Sequence, residues 1–425
     1  MLQNTSVPNK GLHYGWVIVL GGFLTQVILL ISIQTLPLVL AQIEATLKVT
    51  HAQAGTITSF FGLCYAGFSF FWGYLADKIG NRKTLTIAGV LTSVMLILFG
   101  ATADSLSKAI FLYALVGLGC AGIYTATIPK LIGGWFAPQK RGRAMSFITA
   151  GGVLTGAALG LVVPVISLAN GWQGTFRILG IISLAVTVII LLIVRNTPAE
   201  KGLLPVGISS TNEMPQGTSQ KVGFGAVLKQ PITWHLGIMY IFWQLAYMAG
   251  TAFLAISVSK GMNYTAAQAG VGVTIYNLFQ LVGQQIWAPM SDRMERKKVI
   301  AYAGIMWAVM AFIFVATFGS SLAVTYVIIA LMGIGIGSVP VILATFSDYY
   351  TAEVRGTGSG VISTLALVGR FFGPMLAGMA ADKSGSLSSA FVFAAVMMII
   401  ASVISFTLPN IRAKAVNKEQ LAVQP

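Results

Sequence analysis

Apolar runs long enough to cross a bilayer alternate with short polar connections along almost the whole 425-residue chain. At about 20 apolar residues per crossing, the pattern predicts helices over 14–40, 52–76, 84–102, 107–131, 144–168, 175–194, 232–257, 266–290, 299–318, 322–346, 357–380 and 389–408. Between the sixth and seventh, residues 195–231 are rich in Gly, Pro, Ser, Thr and Lys and have no apolar period, which reads as a linker. The expected fold class is an all-α membrane protein, with twelve transmembrane helices in two pseudo-symmetric six-helix bundles, 1–194 and 232–425.

Composition narrows the class. Hydrophobic residues make up 56% of the chain and charged residues 9%, with a mean hydropathy of +0.83. That is too little polar surface to coat a soluble globule of this size. The helices use nearly the whole length, so no room remains for a separate catalytic domain. Cys64 and Cys120 lie in apolar runs without metal-ligand spacing and read as packing residues. The apolar run after the polar Met1–Lys10 segment is far longer than a signal-peptide core, so the first helix is expected to direct insertion. No nucleotide loop, metal cluster or nucleophile constellation is present in the sequence, so neither an enzyme nor a cofactor is expected.

A net charge of +15 would suit a nucleic-acid partner if the charge were clustered on a soluble face, but its placement excludes that. Of the 26 Lys and Arg residues, 19 fall on the side shared by the termini, and only Lys48, Lys108, Arg177, Lys260 and Lys383 fall on the other. This asymmetry sets topology, with both termini cytoplasmic and the lipid bilayer as the partner. A monomer suffices as the functional unit.

The loop after the second helix, Gly73-Tyr74-Leu75-Ala76-Asp77-Lys78-Ile79-Gly80-Asn81-Arg82-Lys83, recurs in degraded form after the eighth as Ala288-Pro289-Met290-Ser291-Asp292-Arg293-Met294-Glu295-Arg296-Lys297-Lys298. Trp135 to Gly142 and Tyr349 to Gly356 form a second matched pair, before helices five and eleven. At these residues the chain resembles the major facilitator superfamily, over essentially its whole length. The resemblance implies two halves that rock about a central site. It also implies that Gly73, Asp77, Arg82, Asp292 and Arg296 are gate residues favouring the state closed to the cytoplasm, with Gly73 allowing close helix packing and Asp77 accepting from the positive N-terminal end of a neighbouring helix. Gly152, Gly156 and Gly160 in helix five, and Gly369 and Gly373 in helix eleven, recur four apart and read as close-packing faces. Tyr14-Gly15-Trp16, Gly134-Trp135-Phe136 and Gly171-Trp172 resemble the oxalate/formate and monocarboxylate branch. Helix eight has no Arg, where carriers of that branch typically have one, and helix one has no Arg, where sugar-phosphate and acidic-sugar porters do; the resemblance thus implies a monocarboxylate over a sugar phosphate.

Cargo is read from the ionisable groups inside the membrane. All eleven acids lie in loops or at helix ends, whereas Arg370 sits half way along helix eleven. A buried guanidinium without an acid is costly and becomes sensible if the substrate brings the negative charge, gripped through two parallel hydrogen bonds. Lys130, near the end of helix four, fits either the cavity or an interfacial snorkelling position. In helix eight, Asn277, Gln280, Gln284 and Trp287 share one face. Gln244 and Tyr247 of helix seven, Tyr124 and Thr127 of helix four, and Gln26 and Gln34 of helix one complete the candidate wall. His13, His51 and His235 fall at helix ends with no intramembrane acid beside them. The chain thus reads as a secondary transporter of a small organic anion, working by anion exchange or by symport with a proton borne by the substrate. The alternatives are an exporter of hydrophobic or drug-like compounds, which commonly needs a buried acid, and a nutrient sensor, which would bind carboxylates without flux.

Overall fold

The computed structural model describes residues 13–124, 127–208, 227–318, 320–350 and 355–409. Lys10, residues 209–226 of the linker, residues 351–354 of the second matched loop and the basic C-terminal tail lie outside them. The described residues are helical apart from connections and one isolated parallel bridge, Phe136 to Val206. The helices are α1 Gly15–Leu47, α2 His51–Gly67, α3 Ser69–Ile79, α4 Asn81–Thr102, α5 Leu106–Ile123, α6 Ile128–Trp135 and α7 Pro138–Ile193. They continue as α8 Pro231–Ile256, α9 Ala266–Arg293, α10 Arg296–Ala316, α11 Leu322–Ile336, α12 Val339–Asp348, α13 Arg355–Ser384 and α14 Ser388–Phe406.

Nine helical stretches among the described residues are long and apolar enough to cross a membrane, or ten when the bent pair α2–α3 counts as one. The stretches not separately counted are explained by their sequence. α9 has 28 residues, but its amide stripe dilutes its hydropathy. α7 runs for 56 residues, about 84 Å at 1.5 Å per residue, nearly three hydrocarbon thicknesses. It is broken at Gly171, whose φ of 67° and ψ of 174° are not helical. The connection expected over 169–174 therefore shrinks to that one glycine, which supplies a positive φ without steric cost.

Three expected continuous helices are interrupted. α2 and α3 bend by 40° at Phe68. α5 stops before Tyr124 and α6 restarts with Pro129 in its first turn; α11 stops at Gly337 and α12 restarts with Pro340. Proline at a helix start lacks only an N–H that has no partner there in any case. The two Pro restarts occupy matching places in the two repeats, as interrupted helices do in duplicated carriers.

α1 and α4 pack on α7 and α2 on α5, while α8 packs on α13 and α14, and α11 on α9 and α10. The two groups meet through α2 with α13, α7 with α9, and α1 with α8. These contacts gather at one end. A side chain on Gly270 would meet the Gly160 carbonyl oxygen at 2.0 Å, one on Gly55 the Pro374 oxygen at 2.5 Å, and one on Gly378 the His51 oxygen at 2.4 Å. Thr274 Oγ1 donates to the Ala157 carbonyl at 2.7 Å. At the opposite end, Cβ atoms added to Gly67, Gly73, Gly133, Gly142 or Gly360 would meet nothing within 4 Å. The molecule is closed where α2 begins and open where the basic loops lie. Gly73, expected to seat a neighbouring helix, seats none in this conformation, because its end of the molecule is splayed.

Candidate functional site

Between the two groups of helices lies a cavity of about 350 Å³, lined by α1, α2, α5, α7, α8, α9 and α13. Arg370 of α13 reaches it from one side. Its placement follows from glycines: Gly369 and Gly373 let α13 approach the α8 backbone, with added Cβ atoms 2.3 Å from Ile241 O and 2.8 Å from Leu245 O. That close packing brings Gln244 against Arg370. In the amide orientation that satisfies both its atoms, Gln244 Oε1 accepts from Arg370 Nη2 at 3.0 Å and Nε at 3.1 Å, and from the Tyr240 hydroxyl at 3.1 Å. The Tyr65 ring lies 5.9 Å from the guanidinium carbon, within reach of a cation–π contact. Among the described residues, no acidic side chain lines the cavity. The charge is oriented but not neutralised, and the other guanidinium N–H groups remain for a ligand.

The opposite wall carries Gln26 and Gln34 of α1, Tyr124, and Asn277 of α9. Gln34 Nε2 donates to Asn277 Oδ1 at 3.0 Å, and Asn277 Nδ2 to the Val273 carbonyl at 2.8 Å. Tyr247 lines the cavity on a stack with Trp243, centroids 5.3 Å apart.

Other candidates sit elsewhere. Gln280 and Gln284 continue along the Asn277 face of α9 but do not line the cavity, and Trp287 stitches α9 to α11 by donating to Ile334 O at 2.8 Å. Thr127 is buried and bonds back to Gly122 O and Ile123 O. Lys130 leaves the wall altogether: its ammonium donates to Asp77 Oδ1 at 2.7 Å and Gly73 O at 2.9 Å. It is drawn there because Asp77 is the nearest charge that can offset it. Arg82 donates to Leu191 O and, through its backbone, to Asn196 Oδ1, while Arg296 pairs with Asp348. Each of these gate candidates is bonded within its own group of helices, and Asp292 also has a contact.

The sequence reading missed the aromatic wall, formed by Phe61, Tyr65, Tyr113 and Tyr276. It also missed a polar cluster at the closed end. Glu44 is 6% exposed and accepts from His51 Nδ1 at 2.7 Å and Lys260 Nζ at 3.4 Å. Asp382 of α13 accepts from the backbone N–H groups of His51 and Ala52 at 2.9 and 2.8 Å, capping α2 across the interface. His51 therefore does have an acid beside it, supplied by the end of α1.

The sequence profile of the Major Facilitator Superfamily matches residues 22–270 and 245–425. The chain belongs to this superfamily. A hexuronate transporter of Bacillus subtilis (strain 168) is 26% identical over 416 residues, 92% of this chain and 94% of that protein. The oxalate:formate antiporter of Oxalobacter formigenes is 26% identical over 376 residues, 87% and 85% of the two chains. Among solved structures, a bacterial homologue of the human lysosomal transporter Spinster superposes with a TM-score of 0.75 at 19% identity, over 93% of this chain and 97% of that one. This member of the superfamily is thus an integral multi-pass membrane protein, of the cytoplasmic membrane as its bacterial relatives are. Its relatives carry organic anions and sugar acids.

Proposed function

We propose that this protein is a secondary transporter of a small organic anion, a monocarboxylate, moved by alternating access between two six-helix halves, 1–194 and 232–425, joined by the 195–231 linker. The observation that carries the reading is Arg370: a guanidinium in the cavity wall, fixed by the neutral Gln244 amide, with no carboxylate among the described residues lining the same space. An uncompensated charge at that depth is stabilised when an anion arrives. Gln26, Gln34, Tyr124, Tyr247 and Asn277 would orient the remainder of the substrate.

The orientation follows from the basic loops. With twelve crossings and both termini cytoplasmic, the open end carrying Asp77, Arg82, Arg296, Lys297 and Lys298 faces the cytoplasm, so the state described here is open inward. Turning outward would break the Asp382 cap, the Glu44–Lys260 pair and the Thr274–Ala157 contact. It would recruit Gly73, Asp77, Arg82, Asp292 and Arg296 to close the inner end. With no acid in the cavity wall, a coupled proton would ride on the substrate's carboxyl group, or a counter-anion would replace it.

The test is uptake into proteoliposomes of purified protein, with imposed pH gradients and defined internal anions. Arg370→Gln is expected to abolish carboxylate uptake while leaving insertion intact, and Arg370→Lys to retain little, because an ammonium lacks the planar fork. Undiminished uptake by Arg370→Gln removes the anion site. Uptake driven by pH without any counter-anion selects symport over exchange.

A further inference from the structure

Arg370 is held along one edge. Its Nε and Nη2 both donate to Gln244 Oε1, at 3.1 and 3.0 Å, and the Tyr240 hydroxyl donates to the same oxygen at 3.1 Å. The N–H pair on Nη1 and the second N–H on Nη2 are left over, and together they form the end of the guanidinium fork. That end can grip both oxygens of a carboxylate through parallel hydrogen bonds. The holder is itself fixed. Gln244 is 2% exposed, and a side chain on Gly369 would come within 2.8 Å of its Cβ. Tyr240 is wedged between Trp243 and Phe346, with ring centroids 5.8 and 5.1 Å away.

Stability alone would select a different residue at 244. Three donors converge on one oxygen, and an amide oxygen has two lone pairs. A carboxylate on a stem of the same length would accept those bonds more strongly and offset the buried charge. It would also consume the charge that an anion needs. The titratable groups that share the cavity with the guanidinium are phenols: Tyr65 of α2, Tyr113 of α5, Tyr124, Tyr247 of α8 and Tyr276 of α9, with Tyr240 behind Gln244. Cys64 of α2 does not line the cavity, and α14, packed along α13, carries no titratable side chain. Glu44, His51 and Asp382 lie at the closed end, and His235 and Asp348 at the open one. Phenols ionise near 10 and a guanidinium above 12, so none of the described residues lining the cavity exchanges a proton between about pH 6 and 8.

We propose, on the basis of the anion-transport reading above, that Gln244 is the positioning residue of the site and sets its proton stoichiometry: the neutral amide aims Arg370 without discharging it, so the anion binds ionised, on the free end of the fork, and brings no proton with it. Gln244→Glu would make the same site proton-linked. The anion could then bind only as the new carboxylate took up a proton and gave back the guanidinium's charge.

The experiment is calorimetric titration of the purified full-length protein with benzoate, lactate, glucuronate and oxalate, the tightest of them then followed in buffers of different ionisation enthalpy to count protons. The unmodified protein is expected to take up no measurable proton as the anion binds. Gln244→Glu should take up close to one. At neutral pH it should bind about a hundredfold more weakly, the worth of two charge-assisted hydrogen bonds, and the deficit should shrink about tenfold per pH unit on acidification. Its melting temperature without ligand should not fall, which a merely structural role for Gln244 would not produce. Gln244→Met frees the fork without adding charge and should weaken binding about three- to tenfold, equally at every pH. The proton count on the unmodified protein decides even if neither variant folds. A proton taken up by the unmodified protein, or a Gln244→Glu affinity equal to its parent's at about pH 8, overturns the role of Gln244; if Arg370→Gln abolishes the same binding, the anion site stands. Absence of binding by every probe, or binding that survives Arg370→Gln, overturns both.

Discussion

The Asp382 cap gives the closed end a measurable energy. Its carboxylate accepts the first two N–H groups of α2, at 2.9 and 2.8 Å, from a helix of the opposite group. Loss of an N-cap acceptor costs about 0.5–2 kcal/mol, and loss of a negative charge at a helix N-terminus a further 0.3–1 kcal/mol or so. Asp382 is exposed, so the lower part of each range applies and Asp382→Ala should cost about 1–2 kcal/mol. The helix itself survives, because the Thr50–Gln53 capping box lies wholly within the α2 start. The loss therefore falls on the contact between the halves, and the ratio of open to closed at this end should rise about 5- to 30-fold. Asp382→Asn keeps an acceptor but not the charge, and should give a smaller shift. Spin labels on Lys48→Cys and Lys383→Cys, both exposed and flanking the contact, in a background lacking Cys64 and Cys120, report the distance directly. A distance distribution identical in Asp382→Ala and its parent refutes the assignment of this cap as a latch.

The other predictions address the opposite end and the helix seams. Asp77→Asn should lower uptake several-fold without reducing membrane-inserted protein. Its melting temperature should barely change, since Lys130 and Asp77 are 40% and 70% exposed and such pairs contribute at most about 1 kcal/mol. Gly270→Ala places a methyl 2.0 Å from the Gly160 carbonyl oxygen, so the same labels should report opening of the closed end. Gly73→Ala meets nothing within 4 Å here and should favour the present state, read as a shift of opposite sign.

Much of this architecture is legible in the chain because lipid imposes one rule on every crossing: about 20 apolar residues with internally satisfied backbone. What that rule cannot locate are the breaks. The breaks after Ile123 and at Gly337 fall inside apolar runs that read as unbroken crossings, and only Pro129 and Pro340 hint at them. Arg370 stood out as a cation in an apolar run, and Gln244 as an amide, but their mutual hydrogen bonds depend on how α8 and α13 slide past each other. Lys130 was ambiguous because its partner Asp77 lies 53 positions earlier. The cluster at the closed end was invisible for the same reason: Asp382 and His51 are 331 positions apart. Neither residue is unusual at a helix end until the fold brings the two ends together.

The pairing of α2 with α13 ties the two ends of the proposed cycle to one another. The pairing is antiparallel, since His51 meets Gly378, Gly55 meets Pro374 and Gly62 meets Arg370. Fifteen residues beyond Gly62 is Asp77, and fifteen before Arg370 is Arg355, the first residue of α13. If the register continued, about four turns further on Asp77 would stand at the N-terminus of α13, as Asp382 now stands at the N-terminus of α2. The 40° bend at Phe68 and the Lys130 pair hold it away in this state. On the proposed mechanism, straightening that bend exchanges one acidic helix cap for another of the same kind, so the two end states differ little in energy. A small imbalance is then enough for the anion at Arg370, which lies on the same helix pair between the two caps, to set the direction of the rocking.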